Sequence, residues 1–207
     1  MMVPEFQWKD ILKKKSWQLN RTEYKKIIDY DIKFYLSWGK KDKMTRAIWN
    51  SPEWQYIRCF RKAKACRGSI WHKFYYKPKL ERLTRKTGIW IPDSIEHIGK
   101  GLTIGHWGRI VVNPRTIIGD DFFISFGCVI GRDIRGKREG APVIGNRVCL
   151  KTNVTIVGKV TIGDDVLFAP SAYCNFDVPS HSIVIGNPGK IIHRDNATEG
   201  YLGVVNE

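Results

Sequence analysis

The chain has 207 residues, of which 43% are hydrophobic and 27% charged, and its formal net charge is +15. These proportions are ordinary for a globular protein, and no run of 18 apolar residues predicts a transmembrane helix. The first fifteen residues lack an apolar stretch and include three consecutive lysines. They exclude a secretory signal peptide and favour a cytoplasmic location. Five cysteines at irregular spacings, without a Cys/His cluster, argue against disulfides and against a metal site.

The charge is confined to the N-terminal part of the chain. Residues 1–88 hold 23 Lys/Arg and 8 Asp/Glu, whereas residues 89–207 hold 12 of each. Six of the eight Trp precede residue 89, and sixteen of the nineteen Gly lie from Gly99 onward. The sequence therefore predicts two differently built regions that meet near Gly88.

The N-terminal region has the patterning of helices. Apolar residues at three- and four-residue steps predict one helix between Thr22 and Gly39. Ser51-Pro52-Glu53 is a helix start signal, and this second helix is expected to reach about Cys66. A third should run from Pro78 to Gly88. The basic residues of the second helix and its end are expected on exposed faces: Arg58, Arg61, Lys62, Lys64 and Arg67.

Several roles could account for the positive charge of residues 1–88. It could be a solvated surface, attract an anionic cofactor or substrate, or hold the protein at an anionic membrane surface, since Trp and Tyr interleave with the basic residues. The absence of a helix-turn-helix, zinc or RNA-recognition signature argues against nucleic acid. The membrane hypothesis places the protein peripherally at the inner face of the membrane.

The C-terminal region carries an internal repeat of six residues. A second, mostly small or β-branched position follows each repeated residue by four. A period of six suits short strands joined by turns that stack as a solenoid. The spacing is eight between 104 and 112 and fourteen between 130 and 144, which predicts two protruding loops. The repeated positions are Ile98, Ile104, Val112, Ile118, Ile124, Ile130, Ile144, Leu150, Ile156, Ile162, Phe168 and Cys174.

From about residue 88 to residue 192, the sequence resembles the hexapeptide-repeat acyltransferases, in particular the serine acetyltransferase branch and its polysaccharide O-acetyltransferase relatives. The resemblance implies a mainly β fold: a left-handed parallel β-helix preceded by an α-helical N-terminal segment. The expected divisions are a basic, aromatic-rich helical region at 1–88, a catalytic β-helix at 89–192 and a tail at 193–207. The segments that carry the resemblance are 98–114, 136–145, 177–179 and 186–191.

The resemblance implies that His106 is the general base, which takes a proton from the acceptor hydroxyl during direct acetyl transfer. The aspartate that orients this base in the family has no counterpart here, and Gly105 precedes the histidine. Asp93 and Glu96 are nearby candidates for that role, and a backbone carbonyl is the alternative. Cys128 could instead carry the acyl group, but it occupies a core position of its repeat, which predicts burial.

The family's serine-binding Arg-His pair falls at Gly140 and Ala141, which favours a larger hydroxyl acceptor such as a saccharide. The candidates for acceptor binding are Asn113, Arg132 and Arg138. Acetyl-coenzyme A (acetyl-CoA) is the implied donor, and no metal is expected. The candidates for binding the donor are Gly131, Lys151, Thr152, Ala169 and Lys190.

The function expected first is therefore an acetyl-CoA-dependent O-acetyltransferase acting on a saccharide hydroxyl of a capsule, exopolysaccharide or lipopolysaccharide. The alternatives are a serine O-acetyltransferase of cysteine biosynthesis and a non-catalytic β-helix scaffold in polysaccharide assembly. The intact motif around His106 favours an enzyme over a scaffold. The resemblance also implies a homotrimer with active sites between subunits.

Overall fold

The computed structural model describes residues 21–205, so the N-terminal stretch used above to exclude a signal peptide lies outside it. The predicted helices are confirmed. Ser51 caps α3 by accepting a hydrogen bond from the Trp54 backbone NH at 3.4 Å, and Gly88 ends α4 with a φ of 71°. The helical segments are α1 (Arg21–Trp38), α2 (Arg46–Trp49), α3 (Pro52–Ala65), a π-helical turn (His72–Tyr76) and α4 (Lys77–Thr87).

The rest of the chain winds through three sheets in turn and forms a parallel β-helix of about five coils. Sheet A contains β1 (Ile89–Trp90), β4 (Ile110–Val112), β7 (Val129–Gly131), β10 (Thr155–Val157) and β13 (Tyr173–Cys174). Sheet B contains β2 (His97–Ile98), β5 (Ile117–Ile118), β8 (Val143–Ile144) and β11 (Thr161–Ile162). Sheet C contains β3 (Thr103–Ile104), β6 (Phe123–Ile124), β9 (Val148–Leu150), β12 (Val166–Phe168), β14 (Ser182–Ile185) and the antiparallel β15 (Lys190–His193).

The residues that recur every six positions form the core of this β-helix. All twelve repeated residues are buried, and each pairs in register with its counterpart one coil away, as Ile104 does with Ile124 and Ile124 with Leu150. The second position of each repeat is also buried, except at the half-buried Gly108 and at Ile134, which lies in the long connection after Ile130 and is 72% exposed. The predicted mainly β fold is confirmed.

Glycine after the aliphatic residue is required by the close approach of successive coils. A Cβ on Gly99 would lie 2.6 Å from the carbonyl oxygen of Gly119, and one on Gly119 would lie 2.7 Å from that of Gly145. Side chains beside these glycines tie the coils together, because Asp120 accepts from the Lys100 NH at 2.9 Å and Asn146 accepts from the Asp120 NH at 2.9 Å.

The helical region closes the N-terminal end of the β-helix. The Tyr56 hydroxyl donates to the Ile91 carbonyl at 3.0 Å and accepts from the Ile91 NH at 2.9 Å. Arg61 donates to Asp31 at 2.9 Å and to the carbonyl oxygens of Ile98 and Gly99 at 3.2 and 2.6 Å. Helices and first coil therefore share one hydrophobic core.

Two of the basic residues expected on exposed faces are buried instead. Arg61 is 1% exposed and Lys64 8% exposed. The expectation was wrong for them because backbone carbonyls of the first coil, together with Asp31 for Arg61, satisfy their donors. Lys64 donates to the Ile95 carbonyl at 2.6 Å, and burial lowers its pKa to about 8.

The outer face of sheet C is covered within the chain. Phe123 and Leu167 on this face pack with Phe34 of α1 and with Leu202 near the C-terminus. Among residues 21–205, no helix has both the length and the apolar character needed to cross a bilayer.

Candidate active site

The two departures from the six-residue spacing form different corners of the β-helix. Residues 105–109 connect sheet C to sheet A before β4, and residues 132–142 connect sheet A to sheet B after β7. Because β4 and β7 are parallel neighbours in sheet A, these two segments lie at opposite edges of that sheet. We call them the 105–109 corner and the 132–142 loop.

His106 lies at the 105–109 corner and is exposed. Within residues 21–205, its side chain has no hydrogen-bond or ion-pair partner. A residue of the helical region contacts the backbone of this corner: Glu53 Oε1 accepts a hydrogen bond from the Trp107 NH at 3.2 Å. Sequence reasoning identified Glu53 only as part of a helix start, since nothing local reveals a contact 54 residues along the chain.

Neither candidate for orienting the base meets it within one chain. Asp93 and Glu96 lie between β1 and β2, at the edge of sheet A opposite to His106. Asp93 is instead bonded to the Nε2 atom of His72. The Glu96 NH donates to the Pro114 carbonyl at 2.8 Å, which ties its backbone to the next coil.

Three of the predicted donor-binding residues share the column of corners that carries His106. In the coil register, Thr152 and Phe126 are equivalent to His106, while Lys151 and Ala169 occupy the preceding position. Thr152 and Ala169 have small side chains, as an extended ligand along the column would require. The Lys151 ammonium does not point to such a ligand here, because it lies 5.5 and 4.7 Å from the ring centroids of Phe123 and Tyr201.

The predicted acceptor-binding residues lie at the other edge of sheet A. The 132–142 loop is an arm closed by paired backbone bonds between Asp133 and Gly140 at 2.9 and 3.0 Å. Arg138 turns back onto the β-helix, donating to the Lys159 carbonyl at 3.5 Å and approaching Asp177 at 3.6 Å. Arg132 has a buried Nε atom without a hydrogen-bond partner in the described part of the chain.

The remaining candidates for acceptor and donor binding are Asn113, Gly131 and Lys190. Asn113 uses its Oδ1 atom locally, accepting from the Arg115 NH at 3.0 Å. Gly131 belongs to β7, below the loop, and Lys190 is exposed on β15. The structure thus gathers Lys151, Thr152 and Ala169 with His106, and Asn113, Gly131, Arg132 and Arg138 at the opposite edge.

Cys128 does not have the environment of an acyl-carrying nucleophile. It is fully buried, and its thiol donates to the Lys151 carbonyl at 2.9 Å. Burial raises the pKa of this thiol to about 11, so the nucleophilic thiolate is scarce at neutral pH. His106 is therefore the candidate reactive side chain at the 105–109 corner.

Comparison with known proteins identifies the family of the chain. The chain is 34% identical over 141 residues to serine acetyltransferase of Helicobacter pylori, and the match covers 67% of this chain and 80% of that protein. The chain belongs to the serine acetyltransferase family. It is therefore an O-acyltransferase, although no family model matches it.

Solved serine acetyltransferases share the fold. The enzyme of Neisseria gonorrhoeae superposes with a TM-score of 0.71 at 20% identity, covering 84% of this chain and 70% of that one. Its complex with serine gives 0.67 at 20% identity, covering 83% and 70%. A serine acetyltransferase in complex with CoA gives 0.63 at 18% identity, covering 81% and 70%.

Proposed function

We propose that this member of the serine acetyltransferase family transfers an acetyl group from acetyl-CoA to the hydroxyl of serine. The observation that carries the proposal is the 34% identity to a serine acetyltransferase over 80% of that protein's length. Serine was the alternative in the sequence analysis, and the comparisons favour it over the saccharide acceptor that was expected first. Bound serine and bound CoA in two structural neighbours support the same substrates.

In the proposed mechanism, His106 takes the proton of the acceptor hydroxyl as its oxygen attacks the thioester carbonyl. The resulting tetrahedral intermediate collapses, the carbon–sulfur bond breaks, and the proton passes from the imidazolium to the departing thiolate. No group among residues 21–205 engages the exposed imidazole, which leaves it available to a substrate hydroxyl. The corner NH bonded to Glu53 keeps the backbone that carries the imidazole in place.

A serine acceptor needs a cation for its carboxylate, and Gly140 and Ala141 supply none. Arg132 is the strongest candidate, because no hydrogen bond or ion pair within the described residues engages its guanidinium, which could then pair with a carboxylate. Arg138 is less available, since Asp177 and a backbone carbonyl already engage it. Donor binding is assigned to the column with Thr152 and Ala169.

A saccharide acceptor is the second candidate, and the surroundings of His106 favour it. Two aromatic side chains around the 105–109 corner are about half exposed: Trp107 at 51% and Phe126 at 41%. Phe126 packs beneath the corner, since a Cβ on Gly108 would lie 3.1 Å from the Phe126 Cβ. Flat apolar rings of this kind can stack against the apolar face of a sugar ring, in the way amphipathic aromatic surfaces generally bind.

The two acceptors are separated by a direct assay. Purified protein would be incubated with acetyl-CoA and either serine or a panel of mono- and oligosaccharides, and products identified by mass spectrometry. We expect O-acetylserine, with Arg132→Ala raising the KM for serine at least about tenfold by removing a charge-assisted bond worth about 1.5–3 kcal/mol. The control Arg135→Ala changes the same loop. If acetylated sugars formed and O-acetylserine did not, serine would be ruled out as the acceptor and a saccharide would take its place.

We also propose that the active enzyme is a homotrimer. His106 and the 132–142 loop lie at opposite edges of sheet A, so the loop of one chain can complete only the site of another. The outer face of sheet A also carries an in-register row that includes Trp90, Val111, Val129 and Tyr173, none of them fully buried within the chain. A neighbouring subunit would cover this row.

A further inference from the structure

The π-helical turn and the residues just before it expose an unusually apolar surface. Ile70, Trp71, Phe74 and Tyr75 are 70%, 67%, 74% and 51% exposed. They fall on one side of a continuous helical stretch, while Tyr76 on the other side packs against the core. We call these four side chains the aromatic patch. Contiguous large apolar side chains at a protein surface commonly mark an interaction site.

The patch is held rigidly in this outward orientation. His72 bonds to Asp93 at the start of the β-helix, and its backbone NH donates to the Ser69 hydroxyl at 3.1 Å. Leu80 and Leu83 of the following helix α4 are buried. A π-helical turn changes the angular position of side chains relative to an α-helix, and such turns recur at functional sites. The fold therefore fixes the four apolar side chains in an orientation toward solvent.

Positive charge surrounds the aromatic patch. Between residues 67 and 86 the chain has seven Lys/Arg and one Asp/Glu. Lys73 and Lys79 lie next to the patch itself, with their ammonium groups 5.3 and 5.4 Å from the ring centroids of Phe74 and Tyr75. Aromatic side chains flanked by Lys and Arg are the combination that partitions into the interface of an anionic bilayer.

We propose that the aromatic patch and its surrounding lysines dock the enzyme on an anionic lipid surface. The rings and Ile70 would enter the headgroup region while Lys73, Lys77 and Lys79 meet the lipid phosphates. A second copy of this chain is a poorer occupant, because a symmetric contact would bring two equally basic surfaces together. The docking is independent of which acceptor the enzyme uses.

The test is sedimentation of the full chain with vesicles of phosphatidylcholine alone or mixed with phosphatidylglycerol. We expect binding to the anionic vesicles at low salt, little binding to neutral vesicles, and release as salt shortens the Debye length to about 3 Å near 1 M. Lys73→Gln/Lys77→Gln should weaken binding about 30-fold, the equivalent of two lysines at about 1 kcal/mol each. The matched pair Lys41→Gln/Lys43→Gln, exposed in the connection between α1 and α2, should have little effect.

The apolar contribution is tested with Trp71→Ser/Phe74→Ser, which should reduce vesicle binding more than tenfold, and with Val204→Ser as an exposed apolar control. Both patch variants should keep wild-type mass in light scattering and wild-type acetyl transfer to soluble acceptor. Equal binding of wild type and patch variants to anionic vesicles would overturn the proposal. A smaller assembly for the patch variants would do so as well, because it would make the patch a subunit contact.

Discussion

His106 is the only candidate base at the 105–109 corner, so its removal is the most direct test of the chemistry. We expect His106→Ala to lower the rate of acetyl transfer by about a hundred- to ten-thousand-fold, the contribution of a positioned general base. CoA binding, followed by calorimetry, and the circular dichroism spectrum should be unchanged, since the side chain is exposed and unpaired within the described residues. The control is His193→Ala, another exposed histidine. A His106→Ala enzyme with more than about a tenth of wild-type activity would remove this residue from the mechanism.

Single residues also mark where sequence-based prediction ends. The identity of His106 as the candidate base follows from the family pattern together with the break in the repeat. The contact that Glu53 makes with its corner joins residues 54 positions apart, and no local pattern encodes such a pair. The same limit explains Arg61 and Lys64, since their burial depends on carbonyls that the first coil brings to them.

At the scale of elements, strands and core were predictable because each coil repeats one local pattern. In each period of six, the aliphatic residue identifies the side chain that points into the core, and the glycine after it identifies where successive coils approach closely. The packing of α1 and the C-terminal residues over sheet C was not predictable, because it depends on outward positions such as Phe123 and Leu167, which the repeat leaves free.

The attachment of the C-terminal residues centres on Asp165. Its carboxylate accepts from the Thr198 hydroxyl at 2.6 Å, from the NH groups of Thr198 and Ala197 at 3.0 and 2.9 Å, and interacts with His181 at 2.9 Å. Burial acts to raise the pKa of this carboxyl, but these hydrogen bonds outweigh it and hold the pKa below the ordinary value.

We therefore expect Asp165 to stabilise the fold at neutral pH and to lose that effect in acid. A carboxyl whose pKa is lower in the folded state contributes fully above its unfolded pKa, about 4, and its contribution disappears as pH falls through the folded value. Asp165→Asn should reduce the free energy of unfolding by about 2 kcal/mol at pH 7. Urea unfolding from pH 7 to pH 2.5 should show the difference from wild type narrowing below pH 4. A difference that stays constant over this range would contradict the assignment.

At the scale of the whole molecule, the trimer proposal predicts a specific dependence of activity on assembly. Light scattering should give about 72 kDa, which is three chains of 23.9 kDa. Val129→Lys, which places a charge on the outer row of sheet A, should yield folded single chains without activity, because each site then lacks its neighbour's loop. Thr161→Lys on the exposed side of sheet B is the control. Full activity at the mass of one chain would refute the shared site.

The two ends of the β-helix determine whether another coil or another molecule can add to the stack. A stack of parallel coils has no intrinsic stop, and an uncovered last coil offers unpaired backbone to which another molecule could add. Here the helical region occupies one end, and at the other β15 runs antiparallel along β14, pairing Ser182 with His193. A further parallel coil would meet a strand of the wrong direction. The reversal at β15 thus closes the sheet C edge of the last coil against continuation of the parallel stack.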